Sequence, residues 1–132
     1  MAVRLTNAAA SAAADSTGLR GYIGNTPKLK LYTGDVNANA ESDPAGTLLA
    51  TITLGNFGAA SNGTISSSGG SATAGNSGTA ACWALFQTDG TTKVADGSAG
   101  TDSGVDATFD SVTWLSGGTV SISSFALTVP PA

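Results

Sequence analysis

Two stretches of this chain alternate apolar and polar side chains at every second residue, and that period constrains the fold more than any other feature. In Lys28-Leu29-Lys30-Leu31-Tyr32-Thr33 the two leucines share one face and the two lysines the other. In Thr47-Leu48-Leu49-Ala50-Thr51-Ile52-Thr53-Leu54, the set Leu48, Ala50, Ile52 and Leu54 falls on one side, while Leu49 joins three threonines on the other. A period of two belongs to a pleated strand, whose successive side chains point to opposite faces. A helix would repeat near 3.6 instead. Both stretches therefore predict half-buried strands, and threonine suits a solvated strand face through its branched side chain.

The most apolar run is Ala81-Cys82-Trp83-Ala84-Leu85-Phe86-Gln87-Thr88. Asp89-Gly90 follows it, and Thr91 to Gly97 forms a second run. Asp-Gly between two such runs predicts a hairpin with a tight I′ turn, in which both central residues take positive φ. Phe109 to Leu115 predicts another strand, which Gly117-Gly118 turns into the last one. That last strand breaks parity: Val120 and Ile122 are even, Phe125, Leu127 and Val129 odd. An extra residue near Ser123-Ser124, a β-bulge, would restore the phase. Pro130-Pro131 then end pairing, because proline has no N–H.

Near the start, Thr6 to Thr17 is alanine-rich and predicts one short helix, capped by Thr6 or Asn7 and ended by Gly18. Because the stretch has no large apolar side chain, a mobile arm is the alternative. Four long segments of small residues read as loops: Asp35 to Gly46, Gly55 to Gly63, Ser66 to Thr79 and Gly97 to Asp106. Strands separated by turn-rich gaps predict a mainly β chain. The expected architecture is an antiparallel β-sandwich, jelly-roll-like, over residues 21–132, preceded by a short N-terminal helix or arm over residues 1–20.

Composition narrows the function. Ala, Gly, Thr and Ser make up 75 of 132 residues, and there is no histidine. His-based triads and His-ligated metals are thereby excluded within one chain. The single Cys82 forms no intrachain disulfide and no thiolate cluster. Five basic residues and a pI near 4.2 oppose nucleic-acid binding. No apolar run reaches the roughly 20 residues needed to span a bilayer, and Met1 to Leu5 lacks a secretory core. The expectation is a protein made in a reducing cytoplasm, with no membrane and no cofactor.

Several side-chain groups invite a chemical reading. Asp96, Asp102, Asp106 and Asp110 in a glycine-rich stretch suit calcium, although they show no EF-hand spacing; the plainer reading is solvated aspartates making turns. Glu41, the only glutamate, could pair with an aspartate for glycoside hydrolysis, but acidic residues for solubility explain it as well. Trp83, Trp114, Tyr22 and Tyr32 could stack on a sugar. By parity Trp83 and Trp114 read as core, and Tyr32, sharing the lysine face, reads as exposed. Asn62-Gly63-Thr64 reads as a turn, and Cys82 as a small buried hydrophobe. What remains is associating surface: a thin core gains stability from neighbours.

Lys28-Leu29-Lys30-Leu31-Tyr32-Thr33-Gly34, the Gly46 to Leu54 strand, and Phe57-Gly58-Ala59-Ala60-Ser61-Asn62-Gly63 together resemble a group of small virion proteins of tailed bacteriophages. Ala81 to Phe86, Asp89-Gly90-Thr91 and Gly118 to Phe125 resemble the same group, so the likeness covers about residues 28 to 129. The resemblance implies a structural role in the particle, as a capsid decoration or cement protein on the outer shell. It would bind the major capsid protein and copies of itself and stabilise the head. Intersubunit contacts are expected from the arm and first strand, at Val3, Arg4, Leu5, Leu29, Leu31 and Tyr32. The alternatives are a tail or fibre component adhering to host glycans, and a self-assembling fibre or surface-layer subunit.

Overall fold

The computed structural model describes residues 4–14, 18–34, 42–55, 57–58, 64–67, 70–100, 107–108, 113–122 and 125–128. In chain order the elements are β1 (Arg4–Leu5), α1 (Asn7–Ala14), α2 (Gly18–Ile23), β2 (Lys28–Tyr32), β3 (Leu48–Thr53), β4 (Thr64–Ser67) and β5 (Gly70–Thr73). There follow β6 (Gly78–Thr79), β7 (Cys82–Phe86), β8 (Lys93–Gly100), β9 (Ala107–Thr108), β10 (Thr113–Trp114), β11 (Thr119–Ile122) and β12 (Phe125–Thr128). The chain is mainly β, and its ladders are antiparallel except for the short β8–β9 pair.

The principal sheet runs β1-β8-β7-β2-β3, with β9 also pairing β8. Directly opposed residues share a face, so the register builds rows. Leu5, Ala95, Leu85, Leu29 and Ile52 form one row across all five strands. Trp83, Leu31 and Ala50 form the next. These side chains make the main core. On the opposite face Tyr32, Cys82, Ala84 and Phe86 form a second, smaller cluster. The central strand β7 is therefore buried at all five positions, as expected for a strand covered on both sides.

Two bulges set which residues go where. Opposite the Leu31/Tyr32 step, β3 carries one extra residue, Leu49. Alternation therefore inverts there: Leu49 is buried and Leu48 is exposed, the reverse of the expectation from strict parity. On β8 the extra residue is Val94, between Lys93, which pairs Phe86, and Ala95, which pairs Leu85. Val94 and Ala95 both enter the core, and Lys93 moves to the face carrying Asp96.

Three two-stranded ladders, β4–β12, β5–β11 and β6–β10, keep a single register. Thr64 faces Thr128 and Thr79 faces Thr113, fifteen positions apart on both strands. The described ladders of the two segments thus form one long ribbon in a single register. The proposed bulge at Ser123-Ser124 lies outside the described residues. On either side of it Val120 and Ile122 are buried in β11, and Phe125 and its partner Ser67 are buried in the β12–β4 ladder. The ribbon covers the main core, with Phe125 edge-on to Trp83 at 4.9 Å and to Phe57 at 6.2 Å. It also docks on the edge of the sheet, where the Gly75 N–H donates to the Leu49 carbonyl at 2.8 Å.

The N-terminal expectation needs revision. Thr6 caps α1, its Oγ1 accepting from the Ala9 N–H at 3.2 Å, but Gly18 opens a second helix instead of ending the first. Ala9 and Ile23 have no exposed surface and lie in the main core, and β1 pairs β8. α1 and α2 contribute Ala9 and Ile23 to the same core as the strands. Ser66 to Thr79, read as a flexible loop, contains β5, β6 and the end of β4. The β7–β8 hairpin forms, with a longer turn than expected. The Gly90 N–H donates to the Gln87 carbonyl at 2.8 Å, which makes Thr88 and Asp89 the central residues and places Gly90 fourth, at φ +74°. The Asp89 carboxylate explains the longer turn: it accepts from the Thr91 and Thr92 N–H groups and from the Thr92 hydroxyl.

Candidate functional site

The main concentration of ionisable groups among the described residues lies on the second face of the sheet. Because of the Val94 bulge, Lys93 and Asp96 share that face despite their opposite parity. Their side chains are 4% and 0% exposed, and Nζ lies 2.7 Å from Oδ2. The same ammonium donates to the Ser42 carbonyl at 2.6 Å. The contact ties the segment between β2 and β3 back over the sheet, and Pro44 is buried there.

Around this pair sit Tyr32, Cys82, Ala84 and Phe86. Lys30 lies over the Phe86 ring, 4.4 Å from its centroid, and donates to the Gly90 carbonyl at 2.7 Å. A cation on a ring face is held by the ring's quadrupole. Burial, then the Asp43 carboxylate and Cys82, push the Tyr32 phenol up to about 12. The folded state therefore holds this proton more tightly than the unfolded chain, whose phenol titrates near 10. Stability from this group is fully present below pH 10 and is lost as pH rises towards about 12. Urea midpoints measured across that interval should fall less steeply for Tyr32→Phe than for the parent chain. At the hairpin turn the opposite sign holds. The N–H groups of Thr92 and Thr91 and the Thr92 hydroxyl lower the exposed Asp89 carboxyl to about 2.

The residues expected to contact partners fall in different environments. Val3 lies outside the described residues, and Arg4 stands in β1 opposite Asp96. Leu5 is half-buried against the core. Leu29 and Leu31 have no exposed surface and Tyr32 is only 6% exposed, which corrects the interface expectation for all three. The leucines lie in the main core and Tyr32 joins the second cluster, so none of them offers area to a partner while the chain is folded.

The other candidates also move. Asp96 is closed off by Lys93, so the four-aspartate calcium set loses a ligand; Asp102, Asp106 and Asp110 lie outside the described residues, as does Glu41. Asn62 and Gly63 also lie outside, and Thr64 begins β4. Of the aromatic set Trp83 and Tyr32 are buried, and Tyr22 and Trp114 are half-buried against the core, so no exposed stacking platform forms from them. Among the described residues the Trp83 Nε1 finds no hydrogen-bond acceptor. Two shallow depressions flank the sheet, one of 260 Å³ beside Tyr22 and Gln87 and one of 320 Å³ between Leu48–Thr51 and Thr73. Strand alternation could not reveal the Lys93–Asp96 pair, because an odd spacing puts the two on opposite faces of a regular strand. No helix among the described residues is long and apolar enough to cross a membrane. Compared with family models, curated proteins and solved structures, the chain matches none.

Proposed function

We propose that this chain is a capsid decoration or cement protein. It sits on the outer shell of a virus particle, binds the major capsid protein and copies of itself, and stabilises the head. In this reading the sheet and the ribbon over it are the two layers of a jelly-roll-like β-sandwich. The observation that carries the reading is the employment of the ionic side chains. Lys28 donates to Thr53, Lys30 to the Gly90 carbonyl, and Lys93 to Asp96 and the Ser42 carbonyl, while Asp89 ties its own turn. Among the described residues these charged groups are engaged in holding the fold, which favours a building part acting through its surface. The likeness of residues 28 to 129 to small virion proteins of tailed phages supports the same conclusion.

The test is to mix the purified protein with shells that lack it and to image the particles. Density repeated over the shell, with a raised temperature of shell disruption, is the expected result. Absence of binding overturns the reading, and density confined to the tail favours an adhesive tail or fibre component instead.

A further inference from the structure

The two faces of the principal sheet are covered in different ways. The first is packed by the ribbon and both helices, through Val120, Phe125, Ala9 and Ile23. The second carries the smaller cluster of Tyr32, Cys82, Ala84 and Phe86, and residues 42–47 pass over it. Along that segment Asp43, Ala45, Gly46 and Thr47 are exposed, and Pro44 is buried. Both ends are held. At one, the Lys93 ammonium donates to the Ser42 carbonyl at 2.6 Å. At the other, the Thr33 N–H donates to the Thr47 carbonyl at 3.0 Å, and the Thr47 N–H donates to the Thr33 Oγ1 at 2.9 Å. The ladders joining β2, β7 and β8 use no residue of this segment.

We propose that residues 42–47 form a strap that opens while the sheet stays folded, with the Lys93 ammonium as its latch. The inference does not depend on the structural role above. Lifting the strap frees one buried side chain of its own, Pro44. The contact it gives up is replaced: water takes the place of the Ser42 carbonyl on the ammonium. Lys93 and Asp96 are costly to keep dry, so part of the opening is offset by their hydration. Asp96 keeps its partner throughout. Baring the first face would instead expose Trp83, Leu85, Leu29 and Ile52, with no charge to hydrate in return. Segments with little apolar burial open below the free energy of global unfolding. What this opening uncovers is an apolar patch that includes the chain's single thiol, Cys82. The latch therefore governs when that face and that thiol become accessible.

Labelling of Cys82 in the full chain with excess N-ethylmaleimide tests this, at urea concentrations below the unfolding midpoint. Cys82 is 1% exposed when the strap is closed, so modification reports opening. The expected result is labelling whose urea dependence is less than about a third of the slope for global unfolding, while Trp83 emission stays native. Lys93→Met combined with Asp96→Leu removes the latch without leaving a buried ion alone. That variant should label at least about tenfold faster at low urea, with the same shallow dependence. Labelling of the parent chain with the full global slope would overturn the proposal, because Cys82 would then be reached only by unfolding. So would a double variant that labels at the parental rate. A rate gain that carries the steep slope comes from lost global stability and overturns it as well. Shell binding is measured separately, so its failure removes the structural role without altering these results.

Discussion

Asp96→Ala is expected to lower the stability of the fold by about 3–5 kcal/mol, the range for leaving one member of a buried ion pair without its partner. The Lys93 ammonium would keep the Ser42 carbonyl, a neutral acceptor, while its own side chain stays 4% exposed. A folded domain has only about 5–15 kcal/mol in total, so the variant should unfold at markedly lower urea. The emission of Trp83, buried on the other face of β7, reports the transition. The companion variant separates charge from packing. Lys93→Met combined with Asp96→Leu removes both ions and fills similar volume, and should recover most of the loss. If Asp96→Ala unfolds within about 0.5 kcal/mol of the parent, the pair does not have the energetic importance its burial implies.

Gly46→Ala should be nearly as damaging, by about 3 kcal/mol, for a steric reason. A Cβ built on Gly46 would overlap the Thr33 carbonyl oxygen and crowd its carbon and hydroxyl. Neither side can retreat easily. The Thr33 N–H donates to the Thr47 carbonyl at 3.0 Å, and the Thr47 N–H donates to the Thr33 Oγ1 at 2.9 Å. Gly46 also ends the segment that Lys93 ties over the second cluster. Forcing it outward should uncover Cys82, which is 1% exposed in the native chain. Thiol-labelling kinetics in native buffer are therefore the sensitive measurement, with faster modification of Cys82 expected alongside the lower urea midpoint. Unchanged labelling would mean that the segment accommodates the methyl group without opening.

Alternation made β2 and the β7–β8 hairpin legible from residues alone, because each has several large apolar side chains in phase. It failed where one residue breaks the phase. Leu48-Leu49 offers two adjacent leucines and no local rule to choose between them; the register against Leu31 and Tyr32 decides. It failed again at β5 and β6, whose Gly, Ser, Ala and Thr have no strong preference of their own. Those strands exist because β11 and β10 pair with them, information held more than thirty residues away. Tyr32 was misplaced for a related reason. Its face looks polar in the sequence, and only the apolar Cys82, Ala84 and Phe86 on the neighbouring strand make it a buried one.

The constant register of the ribbon also favours an order of assembly. Its closest pair along the chain, Thr79 with Thr113, already encloses β7, β8 and β9, and each pair outward closes a longer loop, ending at Thr64 with Thr128. Loops lengthened in this way grow costlier to close only slowly once the first is shut. Forming the hairpin first shortens the loop the ribbon has to close, so the expected order is hairpin first and then the ribbon from Thr79–Thr113 towards the chain ends. In refolding, the hydrogen-exchange protection of β7 and β8 should come first, that of β6 and β10 and of β5 and β11 next, and that of β4 and β12 last.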